Sequence, residues 1–93
     1  MLAPHDRPRL ARRARLRWDE RERRYLLLYP ERGLLLNDVG AAIVKRCDGT
    51  RSVAAIVASL VAEFGGTPPE AIERDTLAFL AELETRRLVE VAP

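Results

Sequence analysis

The chain contains few of the residues from which catalytic and metal sites are built. Its 93 residues include one cysteine, one histidine and five aromatic residues. A single cysteine cannot form an internal disulfide, and a reducing compartment is the economical interpretation. One cysteine and one histidine are too few for an ordinary zinc site or an iron–sulfur cluster. No apolar run approaches the roughly 18 residues of a membrane-spanning helix. We therefore expect a soluble, cytoplasmic protein without a metal or cofactor.

The two reactive side chains are also poorly placed for catalysis. His5 lies in residues 1–9, a segment with two prolines that we expect to be a flexible lead-in. Cys47 falls on the predicted buried face of a helix, where a small core residue is favoured over a nucleophile. The glycine-rich phosphate-binding patterns GxGxxG and GxxxxGK[ST] do not occur. We predict that the protein is not an enzyme.

What the chain does have is a globular composition, 47% hydrophobic and 32% charged, which predicts a single domain over residues 1–93. Its net charge of +2 is unevenly distributed, because residues 1–24 hold nine arginines against four acidic residues. Arg15 and Arg17 would lie on the outer face of a strand. They could steer an acidic peptide by raising its association rate, or they could simply form a solvated sheet face.

Three strands are predicted in the first half. Apolar and polar residues alternate strictly over Ala14–Asp19, which places Trp18 on the inward face. Tyr25–Tyr29 is a continuous apolar run and is predicted to be the central strand. Pro30–Gly33 has the Pro-then-Gly order of a tight turn, and Leu34–Leu36 follows as the third strand of an antiparallel meander.

Two helices are predicted next, each with an N-cap and a glycine end. Asn37 would cap a helix over Asp38–Cys47, which Gly49 can end in the left-handed conformation. Ser52 would cap a second helix that ends at Gly65-Gly66.

The third helix is predicted over Pro68–Arg87, with Thr67 and Glu70 forming a capping box. Its buried face would consist of residues at helical spacing: Ile72, Thr76, Phe79, Leu80 and Leu83. Residues 88–91 could be a short strand or a frayed tail. The predicted fold class is α+β, a three-stranded antiparallel sheet followed by a three-helix bundle in a winged helix-turn-helix-like arrangement.

Two binding functions fit this fold. A winged helix with excess arginine is typical of a DNA-binding regulator, although the third helix is net negative and phosphate would repel it. Alternatively, Leu34–Leu36 is an edge strand, whose unpaired backbone groups can bind an extended peptide by strand addition. The same edge could instead pair with a second copy and form a homodimer.

The order and spacing of several short motifs resemble the PqqD family of pyrroloquinoline quinone (PQQ) biosynthesis. The motifs are Arg15-Leu16, Leu28-x-Pro30-Glu31, Leu34-x-Leu36-Asn37, Cys47-Asp48-Gly49-x-x-x-Val53-x-x-Ile56 and Asp75-x-x-x-Phe79-Leu80-x-x-Leu83. The resemblance covers residues 8–90. The chain departs from the family pattern at Arg46, where a leucine is expected, and at Gly40, where many members have alanine.

The resemblance implies a peptide chaperone of the kind called a recognition element in ribosomal peptide modification. Such proteins bind the precursor peptide PqqA and present it to PqqE, a radical S-adenosylmethionine enzyme that crosslinks a Glu and a Tyr in the peptide. The peptide adds to the third strand and lies in a groove against the third helix. Carried onto this chain, the implied peptide-binding residues are Leu34, Leu35, Leu36, Thr76, Phe79, Leu80 and Leu83.

Overall fold

The structure is a computed structural model that describes residues 2–30 and 32–93. The strands are β1 (Pro8–Leu10), β2 (Arg15–Asp19), β3 (Arg24–Tyr29), β4 (Arg32–Leu35) and β5 (Val89–Val91). The helices are α1 (Asp38–Lys45), α2 (Val53–Glu63) and α3 (Pro69–Thr85). The predicted α+β class is confirmed, with its three-stranded sheet and three helices. The winged helix-turn-helix label stays a prediction.

The predicted meander is present as the antiparallel sheet β2-β3-β4. Leu27 at its centre pairs with Leu16 on one side and Leu34 on the other, and it is completely buried. Arg32 and Gly33, predicted as part of the turn, belong to β4 instead, because Arg32 pairs with Tyr29. The predicted turn also includes Glu31, which lies outside the described residues.

The first two helices begin where the sequence predicts. The Asn37 side chain accepts a hydrogen bond from the Gly40 N–H at 2.7 Å, and the Ser52 hydroxyl oxygen accepts one from the Ala55 N–H at 3.1 Å. Each cap satisfies a backbone donor that the helix itself leaves unpaired. Helix α1 ends at Lys45, two residues earlier than predicted, and Gly49 has the expected positive φ of 82°.

The predicted capping box of α3 is wrong. Helix α3 begins one residue later than expected, so Pro68 occupies the N-cap position and makes no side-chain capping bond. Proline has no side-chain acceptor, and Pro69 in the first turn lacks the N–H that a cap would satisfy. The start of α3 therefore depends on backbone geometry that the prolines favour.

The end of α3 is a Schellman motif. The Arg87 N–H donates to the Glu84 carbonyl oxygen at 2.9 Å, and the Leu88 N–H donates to the Leu83 carbonyl oxygen at 2.8 Å. Arg87 adopts a left-handed φ of 59° at the position where glycine is most common. The reversal directs the chain into β5, so residues 89–91, for which the sequence left two alternatives open, form a strand.

The lead-in expected to be flexible forms hydrogen bonds from Ala3 onward. Strand β1 pairs antiparallel with β5, and Pro8 is buried. The carbonyl oxygen of Asp6 accepts the Val53 N–H at 2.9 Å, and that of Pro4 accepts the Ala54 N–H at 3.0 Å. Because these donors belong to the first turn of α2, the lead-in supplies acceptors that the helix lacks. Met1 lies outside the described residues.

The core lies between the inner face of the three-stranded sheet and the three helices. Its largest completely or almost completely buried apolar side chains are Leu27, Ile43, Ile56, Leu60, Leu80 and Leu83. Trp18, predicted to point inward, is 45% exposed, and its ring packs edge-on against Tyr25 with centroids 5.1 Å apart. Trp18 lines an open cavity between the strands and the helices instead of packing into the core. Within residues 2–30 and 32–93 no helix has the combined length and hydropathy needed to cross a membrane.

Candidate functional site: an open strand edge beside a groove

Strand β4 is an edge of its sheet, and its outer side pairs with no strand in the described part of the chain. The Leu36 N–H donates to the Tyr25 carbonyl oxygen at 2.9 Å, so Leu36 faces β3. Hydrogen-bonding direction alternates along an antiparallel strand. Gly33 and Leu35 therefore turn their N–H and C=O groups to the open side, where a second chain could pair with them.

A cavity of about 380 Å³ lies along this edge, between β4, the start of α1 and one flank of α3. The residues that line it come from all three elements, from the connection between β4 and α1, and from the first residue of β3: Arg24, Leu34, Leu35, Leu36, Asn37, Val39, Gly40, Ile43, Asp75 and Phe79. We call this cavity the groove. A cavity with a mixed apolar and polar lining beside unpaired backbone groups provides both requirements of strand addition, which are a hydrogen-bonding edge and side-chain pockets.

The floor of the groove depends on how closely α1 approaches the end of β4. Gly40 is buried, and a Cβ added there would come within 3.1 Å of the Asn37 side-chain oxygen and 3.6 Å of the Leu36 Cβ. That oxygen is already engaged in capping α1. The glycine thus permits the cap and the strand end to pack tightly, which fixes the angle between α1 and β4.

Four of the predicted peptide-binding residues meet at the groove. Leu34 and Leu35 line it from β4, Leu36 lines it from the position after the strand, which ends one residue earlier than predicted, and Phe79 lines it from α3. Leu35 is 39% exposed, whereas Leu36 is buried and contributes only a small part of its surface.

The other three predicted residues are not part of its lining. Thr76, Leu80 and Leu83 are 0%, 1% and 0% exposed and form part of the core. Their peptide-binding role is implied by the family resemblance, whereas their helical spacing predicts the buried face of α3, and a completely buried side chain has no surface for a ligand. The groove wall is corrected to Asp75 and Phe79, one turn apart on the adjacent flank of α3.

Sequence reasoning missed Arg24, Val39 and Ile43. The i, i+4 spacing of Val39 and Ile43, directly after the Asn37 cap, was a usable signal, because it places both on one face of α1 beside the end of β4. Arg24 had no such signal. Its Nε–H donates to the Leu36 carbonyl oxygen at 3.0 Å, a contact between residues twelve apart that only the strand pairing reveals.

Arg15 and Arg17 lie on the outer face of β2, and both are exposed. Arg17 occupies the same cross-strand row as Leu26 and Leu35. Two strand spacings separate Arg17 from the edge, roughly 10 Å, which is about the Debye length at moderate ionic strength. The two arginines are therefore close enough to influence a charged chain that approaches β4.

The side chains with metal-binding or nucleophilic chemistry were located relative to the groove. The described residues contain no group of three or more His, Cys, Asp or Glu side chains placed to hold a metal ion. Cys47 is buried behind α1, where burial raises the pKa of its thiol to about 12, with a smaller contribution from the Asp48 carboxylate. A thiol with that pKa is protonated at neutral pH.

Comparison with known proteins agrees with the architecture. The family described as Coenzyme PQQ synthesis protein D (PqqD) matches residues 24–89, which include the sheet edge, all three helices and the groove. The chain belongs to the PqqD family. The resemblance found in the sequence is thereby confirmed.

Individual relatives are similar over nearly their whole length. The PqqA binding protein of Azotobacter vinelandii is 41% identical over 87 residues, which cover 94% of this chain and 92% of that protein. The solution NMR structure of the PqqD truncation of Methylobacterium extorquens PqqCD, described as a functional, stand-alone RiPP recognition element, is 38% identical. It aligns with a TM-score of 0.79 over 97% of this chain and 95% of that one.

The fold extends to a more distant protein. TbiB1, solved in complex with the TbiA(beta) leader peptide, is 21% identical and aligns with a TM-score of 0.71 over 88% of this chain and 94% of that one. At this identity the likeness concerns the fold alone.

Proposed function

We propose that this PqqD-family protein is a peptide chaperone of PQQ biosynthesis that binds the precursor peptide PqqA by strand addition to β4. The observation that carries the proposal is the open β4 edge, with Leu35 exposed beside the groove. Its relative in Azotobacter vinelandii is named for PqqA binding, and the similar Methylobacterium extorquens structure is described as a recognition element. The open edge and the groove indicate an extended peptide, and these two descriptions indicate that the peptide is a ribosomally made precursor.

In this proposal the peptide backbone pairs with Gly33 and Leu35, while its side chains enter the groove and contact Leu34 and Phe79. Main-chain bonds provide affinity that depends little on sequence, and the groove provides the selectivity. Arg15 and Arg17 raise the association rate of an acidic chain more than its affinity. The protein itself catalyses no reaction and needs no cofactor, and it acts in the cytoplasm.

The second part of the proposal is that the protein presents the bound peptide to the radical S-adenosylmethionine enzyme PqqE. A peptide that pairs with the edge of a small sheet is itself the new edge strand. Its outer backbone edge and both of its ends therefore remain accessible to the enzyme. A chaperone of this kind can therefore deliver an extended substrate without releasing it first.

The DNA-binding alternative fits the structure poorly. Helix α3 would be the recognition helix, and within Pro69–Thr85 it has Arg74 as its one basic residue. Five acidic residues share that helix: Glu70, Glu73, Asp75, Glu82 and Glu84. Phosphate repulsion opposes insertion of such a helix into a groove of the duplex.

An amide NMR titration of the ¹⁵N-labelled protein with synthetic PqqA tests the proposal, with a random DNA duplex as the parallel ligand. We expect saturable shifts centred on Gly33–Leu36 and Phe79, and only salt-sensitive effects from DNA. Shifts centred on α3 with DNA alone would overturn the proposal. Sedimentation in the same samples tests the homodimer, because a second copy paired on β4 should dissociate when the peptide is added.

Presentation is tested separately by adding PqqE to the ¹⁵N-labelled protein saturated with PqqA. Line broadening at residues outside the groove, with the β4 shifts retained, is the expected result. Return of the β4 amides to their peptide-free positions would show that PqqE displaces the peptide and would contradict presentation.

A further inference from the structure

A second cavity adjoins the groove at the end of β4. It has a volume of about 430 Å³ and lies between the β2–β3 hairpin, α1 and the end of α2. Arg24, Leu36 and Asn37 line both cavities, so the two lie side by side at the end of the strand. A peptide paired with β4 that extends past Leu36 therefore reaches this second cavity.

The second cavity has an excess of positive charge. Its basic residues are Arg23, Arg24, Lys45 and Arg46, and its acidic residues are Asp38 and Glu63. Arg46 is fully engaged within the protein. It forms an ion pair with Glu63, its Nε–H donates to the Ser59 hydroxyl at 2.6 Å, and its Nη1–H donates to the Ala42 carbonyl oxygen at 2.9 Å. Three cations, Arg23, Arg24 and Lys45, remain opposite one carboxylate, Asp38.

Arg24 stands at the junction of the two cavities with most of its donors unused. The hydrogen bond from Nε to the Leu36 carbonyl oxygen, 3.0 Å long, holds the guanidinium group against the strand end. Its terminal nitrogens have no hydrogen-bond partner among the described residues. A guanidinium fixed in this way presents N–H groups in the geometry that a carboxylate accepts in a bidentate pair.

Lys45 is positioned by an aromatic ring. Its ammonium nitrogen lies 4.1 Å from the centroid of the Tyr25 ring, and no ion pair holds it within the described part of the chain. Trp18 packs edge-on against the same ring and forms an apolar wall of the cavity. Trp18 and the three cations are exposed, so an acidic side chain of a bound peptide can reach the cations from the surface.

We propose that Arg23, Arg24 and Lys45, walled by Trp18 and Tyr25, form a subsite for an acidic side chain of the precursor peptide bound along β4. This inference rests on the proposed function, because the peptide reaches the subsite by continuing along the groove. The subsite makes recognition directional: the acidic side chain must lie at the Leu36 end of the strand, so it fixes the peptide's register on the edge.

The test measures the affinity of synthetic PqqA for the wild-type protein and for Arg24→Gln, Lys45→Gln and Arg51→Gln. Arg51→Gln is the matched control, because it removes the same charge from an exposed residue that lines neither cavity. We expect the dissociation constant to rise about five- to twentyfold for Arg24→Gln and Lys45→Gln, and less than twofold for Arg51→Gln. Circular dichroism verifies that each variant is folded, and Lys45→Gln leaves the bond at Leu36 intact.

A set of PqqA peptides with each Asp or Glu replaced in turn by Asn or Gln identifies the partner. One replacement should weaken binding to the wild-type protein and have little further effect on Arg24→Gln, which is the signature of a direct pair. If the wild-type protein binds PqqA, and neither Arg24→Gln nor Lys45→Gln weakens binding more than Arg51→Gln does, the subsite is overturned and the proposed function stands. Absence of wild-type binding would overturn both.

Discussion

The thiol of Cys47 donates a hydrogen bond to the carbonyl oxygen of Ile43, one turn earlier in α1, with a sulfur-to-oxygen distance of 3.3 Å. The donor is the protonated thiol, and burial raises its pKa from the ordinary value of 9.0 to about 12. Folding therefore favours the neutral thiol. The consequence is a pH dependence of stability that can be assigned to this one side chain.

Between pH 9 and 12 the unfolded chain loses the Cys47 proton while the folded protein retains it. The free energy of unfolding should then fall as pH rises, by up to about 1.4 kcal/mol per pH unit from this group. Urea denaturation at pH 8 and pH 10 measures the loss, and Cys47→Ala provides the reference that lacks the ionising group. An identical pH dependence in both proteins would show that the thiol does not contribute.

Leu35→Pro should weaken peptide binding, because it removes the backbone donor that faces the open side of β4. Proline is tolerated at an edge position whose N–H points to solvent, so we expect a folded protein. Loss of one backbone hydrogen bond predicts a dissociation constant roughly fivefold higher. Titration calorimetry of Leu35→Pro beside Leu35→Ala, which retains the donor, separates the backbone from the side chain. Equal affinity of the two variants would contradict strand addition at this residue.

Thr76→Val should stabilise the protein. The Thr76 hydroxyl oxygen is completely buried and has no hydrogen-bond partner within the described residues. Valine has nearly the same shape without the unpaired polar atom, so we expect a gain of about 1 kcal/mol in the free energy of unfolding. Peptide affinity should not change, since the side chain has no exposed surface. A loss of stability on chemical denaturation would indicate that the hydroxyl has a partner.

Arg87→Gly should also stabilise the protein, by relieving the left-handed conformation at the end of α3. A non-glycine residue in this conformation lowers the free energy of unfolding by about 1 kcal/mol. Glycine removes this strain, but it also makes the unfolded chain more flexible, which cancels part of the gain. We expect a net gain of roughly 0.5 kcal/mol in thermal or urea denaturation. Thr85→Gly, within the last turn of the helix, should have the opposite effect. A loss with both variants would refute the argument.

The sequence predicted the parts of the fold that local signals determine. Asn37 and Ser52 cap their helices with bonds to residues three positions away, and a short-range signal of this kind is readable without a structure. The alternation in β2 and the apolar run in β3 likewise reflect which faces are buried. These signals also identified β4 as an edge, and so located the strand half of the candidate site.

The missed features depend on contacts between distant residues. Strand β1 is three residues long and begins with a proline, and its pairing with β5 has no local signature. Helical periodicity identified Thr76 and Leu80 correctly as one face of α3, but periodicity does not distinguish a face that meets the core from a flank that lines a groove. Asp75 and Phe79 lie on that flank because of how α3 packs against the sheet.

The pairing of β1 with β5 has a consequence for the order in which the protein loses structure. Arg9 lies opposite Glu90, so these strands close a loop that contains almost the whole chain, and loop closure is entropically most costly for such long loops. Opening of this pair would release the acceptors that Asp6 and Pro4 provide to the first turn of α2. Amide exchange at Val53 should therefore follow the opening of the terminal strands, whereas the Leu36 amide, which is bonded to Tyr25 of the separate three-stranded sheet, should retain its protection.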